Sequence, residues 1–233
     1  MKWLALITII VTAGTLTHFT EGRDTYSIRK IDEEISLTGK GDDPKWQQAR
    51  PLTDFSYPWE KEAAPPTTFK ALHNDDWVYF LFIIADDDVN IRKETNHKSE
   101  VAASSRAEIF FRIDERLAPY YCLEIDPLGR VLDYEARYHR KFDTNWSWPK
   151  DQLVIKSDQR KDGYSVEFAI SKKSLQQLKL LKNNTLEAGL FRANCAFKAN
   201  GEADFKWISW LQPDAKTPDF HIPSSFGTLR LVQ

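Results

Sequence analysis

The chain is poor in sulfur. Two cysteines, Cys122 and Cys195, occur in 233 residues, and Met1 is the only methionine. No CxxC pair exists, which removes the common zinc and redox motifs. Once a leader is removed no methionine remains, which argues against a Met-ligated haem. No Gly-rich phosphate loop, HExxH helix, EF-hand spacing or serine nucleophile elbow occurs either. Neither sign of charge dominates: 32 Lys and Arg stand against 34 Asp and Glu, for a net charge of −2. No Lys/Arg block is longer than a few residues, so nucleic acid and membrane surfaces are poor candidates as partners. No apolar run reaches the roughly 20 residues that a membrane-spanning helix needs.

What is present is a core-forming composition, 42% hydrophobic and 13% aromatic, with 28% charged residues for a solvated surface. The start, a basic Lys2 followed by the apolar run WLALITIIVTAG, fits a secretory leader. We read 1–22 as leader and start of the mature chain, and 23–233 as one domain of a secreted protein, periplasmic or extracellular. It is expected to be a monomer. In an oxidising compartment Cys122 and Cys195 could pair as a disulfide, with buried free thiols as the alternative.

Strand signals recur along the chain. FKALHNDDWVYFLF reads as two strands around a turn at 73–76. AEIFFRID (107–114), YYCLEID–PLG–RVLDYEARY (120–138) and GYSVEFAI (163–170) repeat the theme, with Pro127-Leu128-Gly129 as a hairpin turn. Only SKKSLQQLKLL (171–181) has helical spacing, with Ser171 as its cap. Many short strands and one short helix predict an all-β sandwich of two antiparallel sheets.

Alternation places Glu108 and Glu124 on one face of their strands, and Arg192 and Asn194 on one face of theirs. If those faces coincide, they form a polar patch suited to sugar hydroxyls. Trp146 and Trp148, in NWSWP, are candidate stacking platforms or core residues. Trp46, Trp59, Trp77 and Trp210 read as structural. Phe220 and His221 lie in a loop stiffened by Pro218 and Pro223. Asp86, Asp87 and Asp88 could contribute to a calcium site or form a solvated acidic turn. Paired carboxylates also raise the glycosidase reading, since acid and base must flank the scissile bond. Glu124-Ile125-Asp126 begins like the ExDxxE strand of some sandwich glycosidases, but Gly129 stands where the third acid belongs.

Taken in order, SLTGKGDDPKWQQA (36–49), FKALHNDDWVYFLF, AEIFFRID, YYCLEIDPLGRVLDY, DGYSVEFAI, GLFRANC, ISW and PSSFGTLRL resemble the family 9 carbohydrate-binding modules, of the DOMON-like sandwich superfamily. The resemblance implies a jelly-roll β-sandwich, often with structural calcium, that binds glucan or xylan chains in a polysaccharide-degrading context. It implies binding without cleavage, with a glycoside hydrolase or a secreted protein-interaction module as rivals. Glu108 matches a ligand-contacting Glu of the family, Glu124 and Asn194 match polar positions, and Phe220 falls where one clamp Trp belongs. The second clamp Trp should precede AEIFF, where VAASSR holds no aromatic. Trp146 or Trp148 is then the expected substitute wall.

Overall fold

The computed structural model describes residues 22–233; the leader expectation lies outside it except for Gly22. Among the described residues, twelve strands and one helix follow in order: β1 (Thr25–Lys30), β2 (Thr67–His73), β3 (Trp77–Ala85), β4 (Arg106–Arg112), β5 (Tyr120–Ile125), β6 (Val131–Arg137), β7 (Lys141–Asp143), β8 (Leu153–Arg160), β9 (Gly163–Ser171), α1 (Lys172–Gln177), β10 (Thr185–Phe197), β11 (Ala203–Ser209) and β12 (Gly227–Val232). Short 3₁₀ turns occupy Pro44–Gln48, Lys98–Ala103 and Pro223–Ser225.

One hydrogen-bonded ladder connects the strands in the order β7-β6-β5-β4-β10-β12-β1-β2-β3-β9-β8, with β11 pairing β10. It curls so that the β4–β5 and β3–β9 portions close on each other as the two leaves of a sandwich. The predicted β-sandwich class stands. The leaves are joined where β1 runs parallel to both β12 and β2; every other strand pairing is antiparallel.

Between the leaves lie Phe69, Phe80, Phe82 and Phe168 from one side and Ile109, Phe111, Leu123 and Leu190 from the other. Phe80 and Phe168 stack at 4.9 Å between centroids. Burying such side chains contributes about 1.5–3 kcal/mol each. A second apolar cluster covers the outer face of β4, β5, β6 and β10, where Phe110, Cys122, Tyr134 and Phe191 meet Phe220 and Phe226 of the C-terminal segment.

Local chemistry explains the boundaries. In the β5–β6 hairpin Gly129 takes φ +76°, and Asp126 Oδ1 accepts from the Leu128 and Arg130 amides at 3.0 Å each. The expected helix is shorter than its leucine spacing suggested. Ser171 caps it, accepting from Ser174 N at 3.0 Å, but Lys179 at φ +60° ends it within about two turns. The opening loop is pinned by the buried Glu167, which accepts from Thr38 N (2.9 Å), Gly39 N (2.5 Å) and Trp46 Nε1 (2.7 Å).

Of the two readings of the cysteines, the free-thiol alternative is the one found: Cys122 and Cys195 are both buried and unpaired. Cys122 sits opposite Phe110, which sits opposite Gly189, whereas Cys195 lies six positions further along β10. That offset is roughly 20 Å at about 3.3 Å per residue, far beyond the reach of a disulfide.

Inside the sandwich Arg192 is fully buried, with Asp86 Oδ2 at 3.0 Å from its Nη2. Removing one partner of a buried pair strands the other charge. Asp86→Ala is therefore expected to lower the unfolding free energy by about 3–5 kcal/mol, whereas Asp87→Ala, on the exposed side of the same loop, should change it by less than about 0.5 kcal/mol. Urea titration of both variants measures the difference.

Candidate functional site

The outer cluster does not cover its leaf completely. It leaves a cleft of about 250 Å³ floored by Arg106, Glu108, Phe110, Glu124 and Tyr134, and walled by Trp59, Trp207, Phe142, Phe220 and His221. The floor follows from register. Glu108 pairs with Glu124 across β4 and β5, so both side chains leave the sheet on the same face. Arg106, two residues earlier on β4, joins them there.

Two carboxylates converge on one guanidinium. Arg106 Nε donates to Glu124 Oε2 at 2.6 Å, and Tyr134 OH donates to Glu124 Oε1 at 2.7 Å, so Glu124 is satisfied at both oxygens. Arg106 Nη1 donates to the carbonyls of Ala102 and Ser104 at 3.2 Å each. Glu108 Oε1 lies 2.9 Å from the same Nε, but one N–H cannot serve two acceptors well and this one is aimed at Glu124. Glu108 Oε1 is thus a buried oxygen without a hydrogen-bond donor among the described residues. Burial, partly offset by Arg106 and reinforced by Glu124, pushes the Glu108 carboxyl up to about 8.

The walls are aromatic. Arg106 lies under Trp207, 5.5 Å from the ring centroid. Phe220 stacks on Phe191 at 4.1 Å and is backed by Trp59 at 5.4 Å and Trp207 at 5.7 Å. Phe142, 43% exposed, reaches in from β7 and touches His221 at 4.9 Å. Since β7 and β11 bracket the row β6-β5-β4-β10, aromatic side chains stand at both margins of the polar floor. Asp219 ties the C-terminal loop to the β6–β7 turn, meeting His139 Nε2 and Arg140 Nη1 at 2.9 Å each. His221 bonds Tyr120 OH through Nδ1 at 2.9 Å, and burial pushes its pKa down to about 3, so the imidazole is neutral.

Of the residues expected in the site, Glu108, Glu124, Phe220 and His221 are brought together. Arg192 and Asn194 are not. Phe191, not Arg192, pairs with Glu108, so Arg192 and Asn194 leave β10 on the opposite face. Asn194 lines a separate cleft with Asp86, Asp87 and Asp88, and its Nδ2 meets Tyr57 OH at 3.4 Å. Trp146 and Trp148 are core residues rather than platforms. Trp148 is buried, donates from Nε1 to Ser174 Oγ at 3.1 Å, and carries Trp146 against its ring at 5.8 Å. Trp59, read as structural, is a wall, and Arg106, Tyr134, Phe142 and Trp207 were not singled out. The alternation of Phe205 and Trp207 against the buried Ile208 in β11 was the available signal.

Asp86, Asp87 and Asp88 do not fit calcium. The inward carboxylate, Asp86, accepts at Oδ1 from Asp88 N at 3.1 Å and is ion-paired at Oδ2 with the fixed cation Arg192. Calcium needs six to eight oxygens, and no cluster of three or more acidic, His or Cys side chains able to hold a metal occurs among the described residues.

The profile of one family, carbohydrate family 9 binding domain-like, matches residues 37–233. The chain belongs to this family. Its fold is shared with solved structures of low identity. A proposed carbohydrate-binding protein from Bacteroides uniformis aligns with a TM-score of 0.65 at 17% identity, covering 90% of this chain and 99% of that one. A family 9 module from Caldicellulosiruptor kristjanssonii in complex with cellotriose aligns at 0.57 and 16% identity, covering 89% and 93%. A family 9 module from the same organism in complex with glucose aligns at 0.57 and 16%, covering 88% and 95%. No curated protein sequence matches the chain.

Glu108 and His221 make opposite contributions to the pH dependence of stability. Glu108, raised from 4.5 to about 8, holds its proton longer in the folded state, so its contribution weakens as pH rises through that interval. His221, lowered from 6.5 to about 3, takes its proton sooner when unfolded, so its contribution weakens as pH falls below 6.5. Between 6.5 and about 8 only the Glu108 slope of the two operates. Stability is expected to fall with rising pH across that window, and Glu108→Gln should flatten the fall. Thermal melts at half-unit pH steps give the comparison.

Proposed function

We propose that this protein binds a neutral saccharide in the aromatic-walled cleft and does not cleave it. The observation that carries the reading is the ion-paired floor of Arg106, Glu108 and Glu124 lying beneath the aromatic walls of one cleft. Carboxylate, guanidinium and phenol groups supply acceptors and donors for ligand hydroxyls. The aromatic margins supply apolar faces on which pyranose rings stack. Membership of a carbohydrate-binding family supports the same conclusion.

The cellotriose and glucose complexes of the structural relatives make β-1,4-glucans the first ligands to try, with xylan second. The apolar leader supports secretion, and with it a role in polysaccharide degradation outside the cytoplasm. A glycosidase needs its two carboxyls on opposite sides of the scissile bond. Glu108 and Glu124 instead stand side by side on the cleft floor around a single guanidinium, an arrangement that grips rather than cuts.

Glucan and xylan oligosaccharides titrated calorimetrically into the protein test the reading. Trp207→Ala should weaken binding at least about tenfold, and Glu108→Ala should do likewise. The control is Val154→Ala, an exposed residue of β8 away from the cleft, which should leave affinity unchanged. Release of reducing sugar by the pure protein would overturn the non-catalytic conclusion.

A further inference from the structure

The aromatic-walled cleft runs up to the Lys98–Ala103 turn on one side. There it shares Ala102, Leu132 and Thr144 with a second depression of about 490 Å³, whose other lining residues include His97, Ser99 and Asn145. Of the three shared residues, Ala102 presents only a methyl group and Leu132 is buried.

The chemistry of this annex differs from that of the cleft. It contains no aromatic side chain other than the imidazole of His97. Its cation, Lys98, is already committed: Nζ donates to Asp133 Oδ1 at 2.9 Å and to the Asp133 and Trp146 carbonyls at 3.1 and 3.3 Å. An anionic ligand would therefore find no free charge. His97 Nδ1 meets Ser99 Oγ at 2.8 Å. The side-chain amide of Asn145, the hydroxyl of Thr144 and the Nε2 of His97 have no partner among the described residues. These are neutral donors and acceptors of the kind that pair with ligand hydroxyls.

We propose that the annex is a second saccharide subsite, continuous with the cleft across Ala102 and Thr144. The protein then grips an oligosaccharide over at least two units, one stacked between aromatic walls and the next held by hydrogen bonds alone. This rests on the saccharide reading of the cleft. A neutral sugar chain is the occupant favoured by the free amide and hydroxyl groups, the neutralised lysine and the continuity with the cleft.

Calorimetric titration of the full chain with glucose and cellotriose, and with xylose and xylotriose, tests it. The trisaccharide of the binding series is expected to bind at least about tenfold more tightly than its monosaccharide. The double variant Asn145→Ala/His97→Gln should bring that ratio below about threefold with the monosaccharide Kd unchanged. Asn145→Ala alone, at an exposed position that leaves the His97 cap intact, should give an intermediate ratio. Equal affinity for the two lengths, or a ratio that survives both variants, overturns the second subsite while leaving the cleft as a one-sugar site. Failure of every saccharide to bind overturns both.

Discussion

The register between β4 and β10 is the constraint on which the rest of this structure depends. Glu108 stands opposite Phe191, and with a side-chain period of two that pairing decides the face of every neighbour. It sends Arg106, Glu108 and Phe110 outward beneath the C-terminal loop, and Ile109 and Phe111 inward to the aromatic core. It also sends Arg192 inward, which is tolerable only because Asp86 meets it at the end of β3. A slip of one residue would bury Glu108 between the leaves and expose Phe111. The packed interior thus excludes the alternative pairing, and the cleft inherits its geometry from the core.

Within the cleft, desolvation does two things at once. It raises the cost of holding Arg106 between two carboxylates, since three ionisable groups share a space with little water. It also strengthens any hydrogen bond that a ligand makes there, because the surroundings screen it less than water would. A floor of this kind is worse for stability than leucines of the same volume, and better for holding hydroxyl groups in one orientation. The neutral His221 and the Asp219 contacts to His139 and Arg140 keep the covering loop seated over this floor.

Much of the fold was legible in the sequence. The hairpin at 127–129, the faces of β4 and β5 and the capped helix start follow from local turn chemistry and alternation, which need only near neighbours. Glu108, Glu124 and Phe220 were legible for the same reason, helped by the family resemblance. Arg192 and Asn194 were misplaced because alternation within β10 says nothing about its pairing with β4. Phe191, large and apolar, faces outward because the loop carrying Phe220 gives the outer face an interior of its own. The tryptophans were ambiguous in kind. Each has enough apolar area to be core and enough shape to be a wall, and only tertiary packing separates Trp148 from Trp207.

The parallel pairing of β1 with β12 has a mechanical consequence. Thr25 lies beside Thr228 and Arg29 beside Val232, so the strand that enters the domain and the strand that leaves it point the same way. Tension drawing the two ends of the domain apart would slide one strand along the other. The bonds of that ladder would be loaded together, in shear, rather than peeled open in succession as in a hairpin pulled from its open end. Pulled at both ends, the domain would then resist force at the seam that joins its two leaves.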